Sequence, residues 1–197
     1  GISRLAIYKA YNQGGSYGNV EQFLYNNSEI SVGHPALSPD GKRLFFVSDM
    51  PGGHGGTDIY MCKDLGGQWG EPENLGSAIN SPQNEVFPFI GGDGTLYFSS
   101  NGHPGLGGLD IFAASYLGLD EFRNPMNIGA PVNGTKDDFA FIIDKAGKKG
   151  YFSSSRLGGK GDDDIYSFEM LAPLTQRFLC TGIVIDDENG SPLIDLE

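Results

Sequence analysis

Apolar residues along this chain come in short runs and never in long stretches. Leu44-Phe45-Phe46-Val47, Leu96-Tyr97-Phe98 and Phe139-Ala140-Phe141-Ile142-Ile143 are typical. They are aromatic and β-branched, and clusters of Gly, Asp, Asn and Ser bound them. Runs of this kind read as short strands joined by tight turns. No long segment spaces its apolar residues at the helical period, so helices are expected to be minor. The pattern predicts an all-β fold.

The runs repeat. One copy holds His34-Pro35-Ala36-Leu37, the turn Asp40-Gly41, Arg43-Leu44-Phe45-Phe46-Val47-Ser48 and Gly55-Gly56-Thr57-Asp58-Ile59-Tyr60. The second holds Phe87-Pro88-Phe89-Ile90, Asp93-Gly94, Leu96-Tyr97-Phe98-Ser99-Ser100 and Gly107-Gly108-Leu109-Asp110-Ile111-Phe112. The third holds Phe139-Ala140-Phe141-Ile142-Ile143, Ala146-Gly147, Gly150-Tyr151-Phe152-Ser153-Ser154 and Asp162-Asp163-Asp164-Ile165-Tyr166. Between copies lies a further element, Trp69 to Asn80, matched by Phe122 to Asn133 and, in degenerate form, by Val20 to Asn27. Asn27, Asn80 and Asn133 fall 53 residues apart.

Each copy parses as four strands: a Phe-Pro-Phe-Ile run, a Leu-Tyr-Phe-Ser-Ser run after an Asp-Gly turn, an Asp-Ile-Tyr run after a glycine loop, and a strand around Asn-Leu-Gly. Four short strands in a repeat of about 50 residues are the mark of a β-propeller blade, which stacks on its neighbours because it cannot bury both faces alone. The expected organisation is the end of one blade at 1–32, blades at about 33–84, 85–137 and 138–172, and a tail at 173–197. Three blades and the end of another leave two readings of the ring: its first part lies upstream, or the tail completes a blade with the N-terminal strands. The third copy departs from the others: Ala146-Gly147 replaces Asp-Gly, Asp162-Asp163 replace glycine, and its fourth strand, expected within Leu171 to Phe178, has lost its signature. That suits a last blade.

These repeats resemble WD-like propeller repeats of the TolB type, and most of all the propeller regions of OmpA-family envelope proteins, over about residues 5–168. The tail, Thr181-Gly182-Ile183-Val184-Ile185-Asp186 through Gly190-Ser191-Pro192-Leu193, resembles the first hairpin of a carboxypeptidase-regulatory-like β-sandwich. A strand added to the last blade is the alternative for that segment. A propeller followed by such a module is similar to the PorE-type subunits of the type IX secretion system. The resemblance implies a non-enzymatic interaction scaffold in the periplasm, associated with the outer membrane, partnered by envelope or secretion-system proteins and tethered to peptidoglycan through a C-terminal domain outside this chain.

Composition narrows the alternatives. The formal net charge is −12, which disfavours nucleic acid and anionic membrane surfaces as partners. No segment approaches the ~20 apolar residues of a membrane helix. Two cysteines, Cys62 and Cys180, are too few for a disulfide framework, and whether they pair is not readable from spacing. The opening Gly1-Ile2-Ser3 is expected to be a processed or internal start.

Candidate chemistry is sparse. Asp58, Asp110 and Asp164 recur at the head of the third strand, where a carboxylate fixes a glycine turn by accepting backbone N–H groups. A ring of cation-binding carboxylates is the functional alternative. Asp162, Asp163 and Asp164 form a candidate cation site, with a solvated acidic turn as the alternative. His54 and His103 are expected at equivalent loop positions, too far apart on neighbouring blades to share a metal. The glycine loops lack the Lys-Ser/Thr of a phosphate cradle. No nucleophile elbow is present, and no catalytic residue, cofactor or metal is expected. A propeller glycosidase, with two carboxylates across the channel, and a glycan- or small-ligand-binding propeller are the alternatives. Trp69 is the candidate anchor for a docked partner.

Overall fold

The computed structural model describes residues 4–172 and Leu174. It contains no helix among them and fifteen strands. They are β1 (Tyr8–Gln13), β2 (Ser16–Gln22), β3 (Val32–Leu37), β4 (Arg43–Ser48), β5 (Asp58–Lys63), β6 (Glu73–Asn74), β7 (Glu85–Ile90), β8 (Leu96–Ser100), β9 (Asp110–Ala114), β10 (Tyr116–Gly118), β11 (Glu121–Phe122), β12 (Met126–Asn127), β13 (Asp138–Ile143), β14 (Lys149–Ser154) and β15 (Asp164–Glu169). Two antiparallel sheets have four strands, in the orders β3-β4-β5-β6 and β7-β8-β9-β12. A third runs β13-β14-β15. Its expected fourth strand falls mostly outside the described residues, as does the hairpin expected after Thr181.

The three sheets are successive blades. The first strands β3, β7 and β13 lie side by side, so they converge on a common axis while the later strands fan outward. Side chains alternate across each sheet, and each face has its own neighbour. Phe45, Val47, Ile59 and Met61 leave the first blade on one side and meet Ile90, Leu96, Phe98 and Phe112 of the second. Tyr97, Ile111 and Ala113 leave the second blade and meet Phe141, Ile143 and Phe152 of the third. The other face of the first blade carries Leu44, Phe46, Tyr60 and Cys62, and Ile7 and Phe23 of the β1–β2 hairpin cover it.

That hairpin is the outer half of a blade. Ile7 takes the place of Ile59 and Ile111, and the same side chain secures all three. Asn80 accepts the Ile59 N–H at 2.8 Å and donates to the Ile59 carbonyl at 3.0 Å. Asn133 does so for Ile111 at 2.9 and 2.8 Å. At Ile7 the residue is Asn26, at 3.0 and 2.7 Å. The repeat spacing had pointed to Asn27, which instead caps a local turn through Glu29 N–H. The reason is length: two residues fewer connect the outer strand to this asparagine than in the second copy, Gln22 to Asn26 against Asn74 to Asn80.

Between β9 and β12 the second blade has a small hairpin, β10–β11, where the first blade has the Asp64–Trp69 bridge, and the four-strand reading of the repeat did not include it. Its tip, Leu119-Asp120, has positive φ at both residues. It reaches back to the first blade: Asp120 pairs with Arg43 at 2.6 Å and Lys63 at 3.0 Å, and Arg43 also donates to the Tyr116 hydroxyl at 2.8 Å.

Candidate functional site

The axis-facing strands carry the most unusual local geometry. In each of β3, β7 and β13 the pairing register shifts by a bulge, between Gly33 and Ala36, Val86 and Phe89, and Phe139 and Ile142. The bulged residues are His34, Phe87 and Ala140, at φ of 49°, 53° and 55°. Left-handed backbone costs a non-glycine residue about 1–2 kcal/mol. Three blades keep it at the same position, and none uses glycine. Proline follows in the first two, Pro35 and Pro88, at a place where the bulge requires no ladder donor.

The bulges gather aromatic rings at the axis. His34 stacks on Phe87 with centroids 4.1 Å apart and planes 13° apart. Phe87 continues to Phe139 at 5.3 Å. Phe87 N–H approaches His34 Nδ1 at 3.3 Å, which marks Nδ1 as an acceptor and the imidazole as neutral. Burial pushes the His34 pKa below its ordinary value in the same sense. All three rings are half-buried. Together they form an apolar wall along the first strands. No motif marked this wall in the sequence, because its members are His, Phe and Phe at two different repeat positions.

The carboxylates on the same strands are buried and engaged. Glu85 accepts the Ser81 N–H at 2.7 Å and the hydroxyls of Ser81 and Ser100 at 2.6 Å each. Asp138, at the equivalent position, accepts the Gly134 N–H at 2.6 Å and a hydrogen bond from Arg156 at 2.7 Å. Arg156 lies over the Phe152 and Tyr166 rings, 4.9 Å from each centroid. These are the only Asp or Glu residues in β3 and β7 and in β13.

The repeated aspartates sit elsewhere, each folded into its glycine loop. Asp58 accepts the N–H groups of His54 and Gly55 at 2.5 and 3.0 Å and the Asn74 amide at 2.8 Å. Asp110 accepts those of Leu106 and Gly107 at 2.7 and 2.9 Å. Asp164 accepts those of Lys160 and Gly161 at 2.7 and 3.2 Å. Asp162 and Asp163 are exposed on the third loop, and no cluster of three or more metal-ligating side chains occurs among the described residues.

His54 and His103 are not equivalent. His54 lies four residues before Asp58, whereas His103 lies seven before Asp110. His103 packs against Phe98 and Phe112 and donates from Nε2 to the Ile79 carbonyl at 2.8 Å. Trp69 is half-buried against the first-blade cluster. It lines a cavity of about 710 Å³ between that blade and the β1–β2 hairpin, with Tyr8, Leu37 and Leu44.

The arrangement matches solved propellers. Similar structures include TolB from Acinetobacter baumannii, with a TM-score of 0.54 and 18% identity over 83% of this chain and 35% of that one. A TolB from Agrobacterium tumefaciens gives 0.54 and 17% over 84% and 57%. The fold is a TolB-like β-propeller. A thermostable family-43 glycoside hydrolase follows at 0.48 and 17%, over 75% of this chain and 51% of that one. The chain thus spans about a third and just over half of the two TolB chains. No protein-family model matches it, and no curated protein matches it by sequence.

Proposed function

We propose that this TolB-like propeller is a non-enzymatic protein-interaction scaffold. It presents the His34–Phe87–Phe139 wall on a stiff frame to a protein partner, and this wall is the observation that carries the reading. Rigid half-buried aromatics gain contact area at little entropic cost, so they make good anchors. The backbone strain under His34, Phe87 and Ala140 fits a position retained for use rather than for packing. Trp69 is a second anchor, beside the outer cavity. The sealed state of Glu85 and Asp138 supports a scaffold over a glycosidase, because each already has its acceptor oxygens filled by protein donors.

The finer reading follows the resemblance of the repeats. The scaffold works in the periplasm, with envelope proteins of an outer-membrane secretion complex of the type IX kind, and an OmpA-like domain outside this chain holds it to peptidoglycan. The test is affinity capture from a periplasmic extract with the wild-type chain and with Phe87→Ala, followed by direct titration of whatever is enriched. Envelope proteins that bind the wild type and lose at least tenfold in affinity with Phe87→Ala are the expected result. Binding indifferent to Phe87, or none above background, overturns it.

A further inference from the structure

The axial wall is held at its first joint by one titratable atom. Phe87 is bulged out of the β7–β8 ladder, between the pairs Val86 with Ser99 and Phe89 with Tyr97. Its N–H finds an acceptor in another blade, His34 Nδ1 at 3.3 Å. The same imidazole lies nearly parallel to the Phe87 ring, at 4.1 Å and 13°. Hydrogen bond and stack join the same two residues, so losing one loosens the other. The next joint is built differently. There the residue in the place of His34 is Phe87, which has no acceptor atom. It meets Phe139 ring to ring, at 5.3 Å and 30°.

An imidazole accepts at Nδ1 only while that nitrogen carries no hydrogen. Protonation sets two N–H groups against each other and brings a full charge into a half-buried site. No carboxylate among the described residues bonds to the ring. β4 and β7 pack against β3. The ionisable residue of β4 is Arg43, at the other end of that strand from Val47, which pairs with Gly33, and Asp120 engages it. That of β7 is Glu85, bound by Ser81 and Ser100. Asp138 of β13 pairs with Arg156. Leu5 lies against Gly33, and its neighbour Arg4 pairs with Asp49. Lys9 and Glu21 line the outer cavity together with Pro35 and Leu37. Burial is the cause of the downward displacement of the His34 pKa from 6.5. One force runs the other way, because a cation over a phenyl face is attracted to it. Desolvation and cation–π attraction thus displace the midpoint in opposite senses.

We infer that His34 is an acid-sensitive latch of the wall: the neutral ring holds the Phe87 N–H and the stack, and protonation lets both go. Resting on the docking role proposed above, the latch also regulates it. A wall parted between His34 and Phe87 no longer offers a partner one continuous apolar face. A base whose folded pKa is depressed stabilises fully above its unfolded value, here pH 6.5. That stabilisation is lost as pH falls from there through the lowered folded value.

The test is an NMR titration of the 197-residue chain, with His34→Phe to assign the His34 signal. That variant carries at the bulge the residue type the second blade already has there. The His34 midpoint is expected below 6.5. The Phe87 amide is expected to shift with the same midpoint and to lose about tenfold in hydrogen-exchange protection below it. The Ala140 amide, at a joint without histidine, is expected to keep its protection. Phe87→Ala is expected to move the His34 midpoint up toward 6.5, by opening the ring to water. A midpoint at or above 6.5, a Phe87 amide indifferent to it, or the same acid response in His34→Phe overturns the latch. The regulatory consequence has its own readout. An envelope protein captured as above is expected to bind the wild type about tenfold more weakly below the midpoint than at neutral pH, and His34→Phe equally at both. Equal binding by the wild type at both overturns that consequence. The titration involves no partner, so the latch and the docking role fail separately.

Discussion

A single asparagine per blade fastens the third strand, and its energy is calculable from its partners. Asn80 and Asn133 are buried and satisfy both the N–H and the carbonyl of one isoleucine. Removing either side chain strands two buried backbone groups, at about 1–3 kcal/mol each. Asn80→Ala and Asn133→Ala are thus expected to destabilise by about 2–4 kcal/mol in urea unfolding. Asn26→Ala should cost about 1–2 kcal/mol, since Asn26 is only half-buried, and Asn27→Ala less than about 1 kcal/mol. The reverse order at 26 and 27 would show that the N-terminal hairpin is not a half-blade. Cys62 allows a sharper reading. Burial pushes its thiol pKa up to about 12, so almost no thiolate exists near neutrality. In a Cys180→Ser background, native protein at pH 8 should leave a disulfide reagent unreduced for as long as the fold holds and react fully in denaturant.

The β10–β11 hairpin ties two blades together through its tip, which reaches Arg43 and Lys63 of the first blade. Burial opposes ionisation of Asp120, but hydrogen bonds from Arg43 and Lys63 outweigh it and hold the carboxyl below its ordinary value of 3.8. The sign follows: the clasp contributes above pH 3.8, the unfolded value, and its contribution fades as pH falls through the lowered folded value. Asp120→Asn should cost about 1 kcal/mol at pH 7 and low salt, and markedly less at 1 M salt. A cost unchanged by salt would mean the hairpin holds through Phe122 against Phe45 instead. This element also shows where the sequence ran out. The four-strand repeat was legible because Asp58, Asp110 and Asp164 and the Ser-Ser strand ends recur at fixed intervals. The hairpin was not, because its counterpart in the first blade is one residue shorter and only the Asp64–Trp69 bridge marks it. The axial wall was missed for a related reason: His34, Phe87 and Ala140 share a backbone conformation, not a residue type, and a bulge leaves no compositional trace when glycine is not used. Asn27 misled because constant spacing holds only where the connecting turns have equal length.

The whole molecule is a linear stack, and its stability should be distributed like one. Each blade contacts only its neighbours, so protection sums a blade's own stability with the interfaces on either side. The β7–β8–β9 sheet has blades packed on both faces. The first blade has a blade on one face and a two-stranded hairpin on the other. Among the described residues, β13–β15 has one covered face, and the β1–β2 hairpin and the residues just after it present Tyr17, Val20 and Leu24 to solvent. Native-state hydrogen exchange should therefore be slowest in β8 and β9, next in β4 and β5, faster in β14 and β15, and fastest in β1 and β2. Phe98→Ala empties the interface between the first and second blades, at about 3–5 kcal/mol. It should speed exchange in β4 and β5 as much as in β8 and β9, because both sheets lose that neighbour, while β14 and β15 change little. If all sheets instead share one exchange free energy and fall together in Phe98→Ala, the arc unfolds as one unit. The nearest-neighbour picture would then be wrong, and the exposed face of the third blade would matter far less than its burial pattern suggests.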